Sequence, residues 1–102
     1  MAFGVKKEEL RTWKTNVRKG NIAILTHFWL DERFPGCDTV TKVGCSNIDK
    51  LKEWGRSYGL APEWIHRDPH YPHFDLFGDR QLQILKEEGC WNQIHRFRLE
   101  KK

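Results

Sequence analysis

Apolar positions recur at helical spacing in three stretches of the chain, and a glycine closes each one. Over Lys6 to Lys19, Leu10, Trp13 and Val17 share one face, basic residues occupy the others, and Gly20 stands at the usual stop position. Ser46-Asn47-Ile48-Asp49 has the form of a capping box, with serine at the N-cap and a carboxylate three positions on. It predicts a helix whose buried stripe is Ile48, Leu51, Trp54 and Tyr58 and whose end is Gly59. A third helix is predicted from Asp79, a suitable N-cap, to Glu88, with Leu82, Leu85 and in part Ile84 inward and Gly89 beyond.

Strand signals lie between these helices. Ile22-Ala23-Ile24-Leu25 is a continuous apolar run, expected of a strand covered on both faces in the middle of a sheet. Thr39 to Val43 predicts a short strand or edge ribbon, Glu63 to His66 a second short strand, and Trp91 to Leu99 a last one. In that last strand His95, Phe97 and Leu99 would lie on one side. The order αβαβαβ implies an α/β fold: one small domain over residues 1–102, with a largely parallel sheet of three to four strands and helices packed on it. Within it, 1–20 form a basic N-terminal helix and 21–99 the α/β core.

Composition agrees with a globular chain. Five tryptophans, six phenylalanines and two tyrosines argue against disorder. No apolar run approaches the ~20 residues of a membrane span, and the N-terminus lacks the apolar stretch of a signal peptide, so a soluble, cytoplasmic protein with no membrane partner is expected. Cys37, Cys45 and Cys90 have no Cys-x-x-Cys spacing and read as reduced, structural thiols. The net charge of +4 is concentrated at the two ends, which could flank an anionic partner or simply be solvated.

Candidate chemistry gathers in His66 to Gly78, which holds three of the five histidines, two aspartates, Arg67 and Tyr71. Pro69 and Pro72 forbid ordinary helix there, so the segment reads as a loop, where function concentrates. His66, His70, His73 and Asp75 are candidate ligands for a divalent metal such as zinc, iron or manganese, although their spacing fits no standard zinc motif. The same stretch reads as an anion clamp, with Arg67 and Arg80 on phosphate and Tyr71, Phe74 or Phe77 stacking on a base. The N-terminus of the third helix would point N–H groups at the same place. Without a metal, His73 oriented by Asp75 is a candidate catalytic base. His27, Trp29 and Asp31 follow the first strand, where open α/β sheets bind ligands.

Leu51 to Leu60, Trp64-Ile65-His66, Pro72-His73-Phe74-Asp75-Leu76, Arg80 and Glu88-Gly89-Cys90 together resemble domain-of-unknown-function family 4031, small bacterial and phage proteins. Their pattern has a helix ending in a Leu-Gly-Leu-like turn, a His-Tyr-Asp-Leu-type stretch, a basic residue and a helix closing at Gly-Ala. Phe74 replaces the tyrosine here, and Cys90 the alanine. The resemblance covers about residues 46–90, leaves the basic helix as an addition, and implies a His73, Asp75 and Arg80 constellation and a phage or mobile-element accessory role. It implies nothing about substrate.

Three function classes fit these residues. The first is a binding protein for a phosphate-bearing ligand, a nucleotide or nucleic acid, including sequestration of a signalling nucleotide. It would use Arg67, Tyr71, His73, Phe74, Asp75, Arg80, His27 and Trp29. The second is a metal-dependent phosphoesterase or nuclease using His27, His66, His70, His73 and Asp75, an enzyme in which His73 and Asp75 would be catalytic. The third is a protein-interaction module with a basic face.

Overall fold

Three short segments become strands, and two of them carry β-branched residues while the third, His73 to Leu76, alternates polar and apolar positions. The computed structural model describes residues 4–28 and 38–101. Trp29, Asp31, Glu32, Arg33 and Cys37 lie outside the described residues. Strand β1 (Ala23–Phe28) pairs antiparallel with β2 (Thr39–Gly44), which pairs antiparallel with β3 (His73–Leu76), in the order β1-β2-β3. Helices α1 (Lys7–Arg18), α2 (Ile48–Arg56), α3 (Gly78–Glu87) and α4 (Trp91–Arg96), with 3-10 turns at Pro62–Trp64 and Leu99–Lys101, complete the described part.

The expected parallel sheet in αβαβαβ order does not form. Residues 29–38, the link from β1 to β2, are too few for a crossover, which takes a dozen residues or more, so the two strands pair antiparallel. Nor is the apolar run at Ile22 the middle of the sheet. β1 is an edge strand, and its two-sided burial comes from helices on both faces: Ala23 and Leu25 pack with Trp13 and Val17 of α1, while Ile24 reaches the clusters on the opposite side. β2, read as a ribbon, is the central strand.

Two further expectations change. Glu63 to His66 is a 3-10 turn followed by a single bridge, His66 to His73, because Pro62 sets the first turn of a helix rather than a strand. Trp91 to Leu99 is not a strand. Gly89, at φ 72°, lets Cys90 N–H bond back to Leu85 O at 2.9 Å, and the chain turns straight into α4. There Ile94 and Phe97, three apart, join Leu85 and Leu99 in one buried cluster. The start of α2 also moves by one residue: Asn47, not Ser46, is the N-cap and accepts from Lys50 N at 3.2 Å. α3 begins at Gly78 with Phe77 as N-cap, so Asp79 lies in its first turn.

Strand alternation sorts the sheet into two faces. Ile24, Thr26, Thr41, Val43, Phe74 and Leu76 meet α2, α3 and α4. Here Val43, Leu51, Leu60, Phe74 and Ile84 form the largest cluster. A buried polar chain crosses the same face: Thr41 and Thr26 hydroxyls lie 2.6 Å apart, Thr26 donates to Gln93 Oε1 at 2.6 Å, and Gln81 Nε2 donates to Thr41 at 3.0 Å. Each member is paired, as a buried network requires. The other face carries Ala23, Leu25, His27, Val40, Lys42, Gly44, His73 and Asp75, with α1 over one end. Gly44 permits that approach, since a Cβ there would lie 2.7 Å from the Trp13 ring and 2.9 Å from Val17.

Candidate functional site: a polar sheet face

The α1-covered face narrows to polar residues beyond the helix. Register aligns Gly44 with His73, Lys42 with both Leu25 and Asp75, and Val40 with His27. One strand therefore supplies His27, the next Lys42, and the third His73 and Asp75. His66 joins them through its bridge: His66 N–H donates to His73 O at 2.7 Å, His73 N–H returns to His66 O at 3.2 Å, and the two rings lie 5.0 Å apart.

His73 is held from three sides. Its Nδ1 lies 2.8 Å from Tyr71 O, and a carbonyl can only accept, so Nδ1 carries the hydrogen. Its Nε2 faces Asp75 Oδ1 at 3.5 Å, an ion-pair distance when the ring is protonated. The Trp13 ring stands edge-on at 6.3 Å. Burial pushes the Asp75 carboxyl up, but the hydrogen offered by His73 and the charges of His73, Lys42 and His66 outweigh it and hold the group below its ordinary range. Asp75 is an anion in a partly open position.

His27 differs from the other histidines. It is only 4% exposed, and its Nδ1 donates to Phe28 O at 2.8 Å, so the Nε2 lone pair is the free end of the neutral ring. Among the described residues that buried nitrogen has no hydrogen-bond partner. Burial, partly opposed by the bond to Phe28 and reinforced by Lys42, lowers its pKa from 6.5, so the ring is neutral near pH 7. An unpaired buried polar atom costs about 1–3 kcal/mol.

The remaining sequence candidates sort by place. Residues 67–72 do form a loop, but His73 to Leu76 is strand, because the backbone of His73–Leu76 is paired to β2 and its side chains alternate. Phe74 is 1% exposed on the opposite, α2-packed face and cannot stack on a ligand beside His73. Tyr71 sits against Trp13 at 6.1 Å with Lys14 Nζ 5.3 Å above its ring. Asp68 accepts from His70 N at 2.8 Å and Tyr71 N at 2.9 Å, so it shapes the loop. Arg80 lays its guanidinium over the exposed Trp64 ring at 5.0 Å. Arg67 is exposed beside His66.

The metal set is not assembled. His70 stays on the loop near Tyr71, and among the described residues no group of three or more His, Cys, Asp or Glu side chains is arranged to hold a metal ion. Two participants escaped sequence reasoning. Lys42 lies between Val40 and Gly44 on the outward parity of β2, a signal that alternation alone could have supplied. Trp13 looked like a core residue of α1, and it is one, but it also roofs His73.

No helix among the described residues is long and apolar enough to cross a membrane. No protein-family model matches the chain, and no solved structure matches it. A protein of Bacillus subtilis (strain 168), the uncharacterized protein YneQ, is 57% identical over 99 residues, which cover 97% of this chain and 100% of the relative. At that identity and coverage the two share one fold along their whole length, and the chain belongs to the family of YneQ.

Proposed function

We propose that the chain binds a small phosphate-bearing ligand, a nucleotide in the first instance, on the face that carries His27, Lys42, His73 and Asp75. One observation carries this reading: the register sets the Lys42 ammonium beside the Asp75 carboxylate and puts His73 on the same face, with the buried His27 ring next to them. The Nε2 of that ring is itself buried, so a ligand hydroxyl or amino hydrogen reaches it only by displacing the side chains over it. Lys42, with Arg67 at the rim, supplies positive charge for phosphate. Asp75 accepts a second hydrogen, and His73, fixed by Tyr71 and Asp75, orients it. Arg80, committed to Trp64, has a lesser part than the sequence assigned to it. A ligand with hydroxyl or amino hydrogens at one end and phosphate at the other satisfies the whole set.

The proposed activity is binding without turnover. The test is titration of the isotope-labelled protein with adenosine monophosphate, guanosine monophosphate and the parent nucleosides, with ligand recovery afterwards. The expected result is binding of a mononucleotide, recovered intact, with resonance changes at Lys42, His73 and Asp75. Lys42→Met should lose at least about tenfold in affinity, equal to 1.4 kcal/mol, while keeping the wild-type circular dichroism spectrum. A site that ignores every nucleotide, or one that binds nucleoside and nucleotide equally, would overturn the phosphate reading.

A further inference from the structure

The outer edge of β1 borders a cavity. A groove of about 490 Å³ runs between α1 and α4; Trp13, Ala23 and Leu25 stand between it and the polar sheet face, and none of His27, Lys42, His73 or Asp75 lines it. Its size is within the range of small-molecule sites. The floor is apolar, built from Ile22, Ile24, Leu25 and Phe97. Glu8, Thr12 and Asn16 line one wall. They follow one another at four-residue steps on α1, a row of roughly 12 Å at ~1.5 Å per residue. Across from them Gln93 is already engaged, with its amide nitrogen on Ile24 O at 3.2 Å and its oxygen on Thr26.

Charge gives the groove a direction. Two carboxylates stand at its Glu8 end. Arg96 neutralises one of them, with Nη1 at 2.9 and 2.8 Å from the two oxygens of Glu9, and its other nitrogen is bonded to Gly4 O. Among the described residues Glu8 has no such partner. In a chain of net charge +4 this leaves one uncompensated anion at the end of an apolar trough.

We infer that this groove is a binding site for a small amphipathic amine, with the apolar body lying over Ile22, Ile24 and Phe97 and the ammonium group meeting Glu8. Thr12 and Asn16 supply hydrogen-bonding groups along the way. The polarity excludes the ligand class proposed for the sheet face: a phosphate placed here would meet Glu8 and find Arg96 already occupied. The two sites are thus separable by ligand charge.

Phenethylamine and its uncharged counterpart phenethyl alcohol test the inference by nuclear magnetic resonance titration of the full chain. The amine should shift the amides of Thr12, Asn16 and Gln93. The alcohol should bind about five-fold more weakly, the scale of a partly exposed ion pair. Glu8→Gln, a change at an exposed position, should weaken the amine by the same factor and leave the alcohol unaffected. Thr12→Phe, which fills the groove, should remove both. The inference is wrong if millimolar amine shifts none of these amides, if amine and alcohol bind equally, or if the shifts centre on Lys42 and His73.

Discussion

Replacing Gly55 by alanine adds one methyl group inside a close contact between α2 and β3. Gly55 is buried in α2 with the Phe74 ring against it. A Cβ at that position would lie 2.6 Å from Phe74 Cζ, 2.8 Å from Cε2 and 3.4 Å from Leu60 Cβ. Favourable carbon contacts lie near 3.5–4.0 Å, so the first two are short by about 1 Å. The ring has little room to retreat: it is 1% exposed, Trp54 stands 6.1 Å away, and its backbone is paired to Val43. Either α2 lifts from the sheet or Phe74 leaves its rotamer. Overpacking of this kind costs about 1–3 kcal/mol, and two contacts under 3 Å against a held ring place the cost near the upper end. Alanine returns about 1 kcal/mol through helix propensity. The net is a loss of about 2 kcal/mol, a fall in Tm of about 8–16 °C at ~4–8 °C per kcal/mol for a domain of this size.

Thermal denaturation followed by circular dichroism measures that fall directly. A double mutant adds a control: shortening the ring with Phe74→Leu makes room for the methyl group, so Gly55→Ala should cost less in that background than alone. An unchanged or raised Tm for Gly55→Ala in the wild-type background would mean that helix propensity wins, and that α2 and β3 do not approach as closely as described.

Two titrations probe the polar groups. His27 has its folded pKa lowered below 6.5, so its contribution to stability is present above that pH and is lost as pH falls through the folded value. The stability of wild type relative to His27→Phe should therefore decline as pH drops below 6.5 in urea-unfolding series, and a pH-independent difference would show that the ring is not buried neutral between Lys42 and Asp75. On the far side of the fold, burial, the Tyr58 hydrogen bond to Glu88 and the Glu88 charge raise the Tyr58 pKa from 10.0 to about 12. Its stabilising effect is present below pH 10 and disappears as pH rises towards 12. Ultraviolet titration should show one tyrosine ionising late, and Glu88→Gln should bring it back towards its ordinary value.

Local order alone set much of this molecule. The stripes Leu10, Trp13, Val17 and Ile48, Leu51, Trp54, together with Gly20, Gly59 and Gly89, marked α1, α2 and α3 to within a residue or two, because amphipathic period and chain-stop chemistry act over neighbouring residues. The concentration of histidine and aspartate near residue 73 likewise pointed to the stretch that supplies two groups of the candidate site. Strand direction was not legible in the same way. It depends on which distant segment supplies the ladder, and a strand, helix, strand order is compatible with either sense of pairing. The same limit misplaced Trp91 to Leu99: four apolar positions in a short segment fit both periods, and the helix was chosen by Leu85 and Gly89, which turn Ile94 and Phe97 onto the core. For the site, parity on paired strands decided most. It turned Phe74 inward and placed Lys42 beside Asp75 across the register, while the packing of α3 against the 3-10 turn put Arg80 on Trp64. Which side chains share a face of a sheet follows from the register between strands, and register is a property of tertiary pairing that no single segment carries.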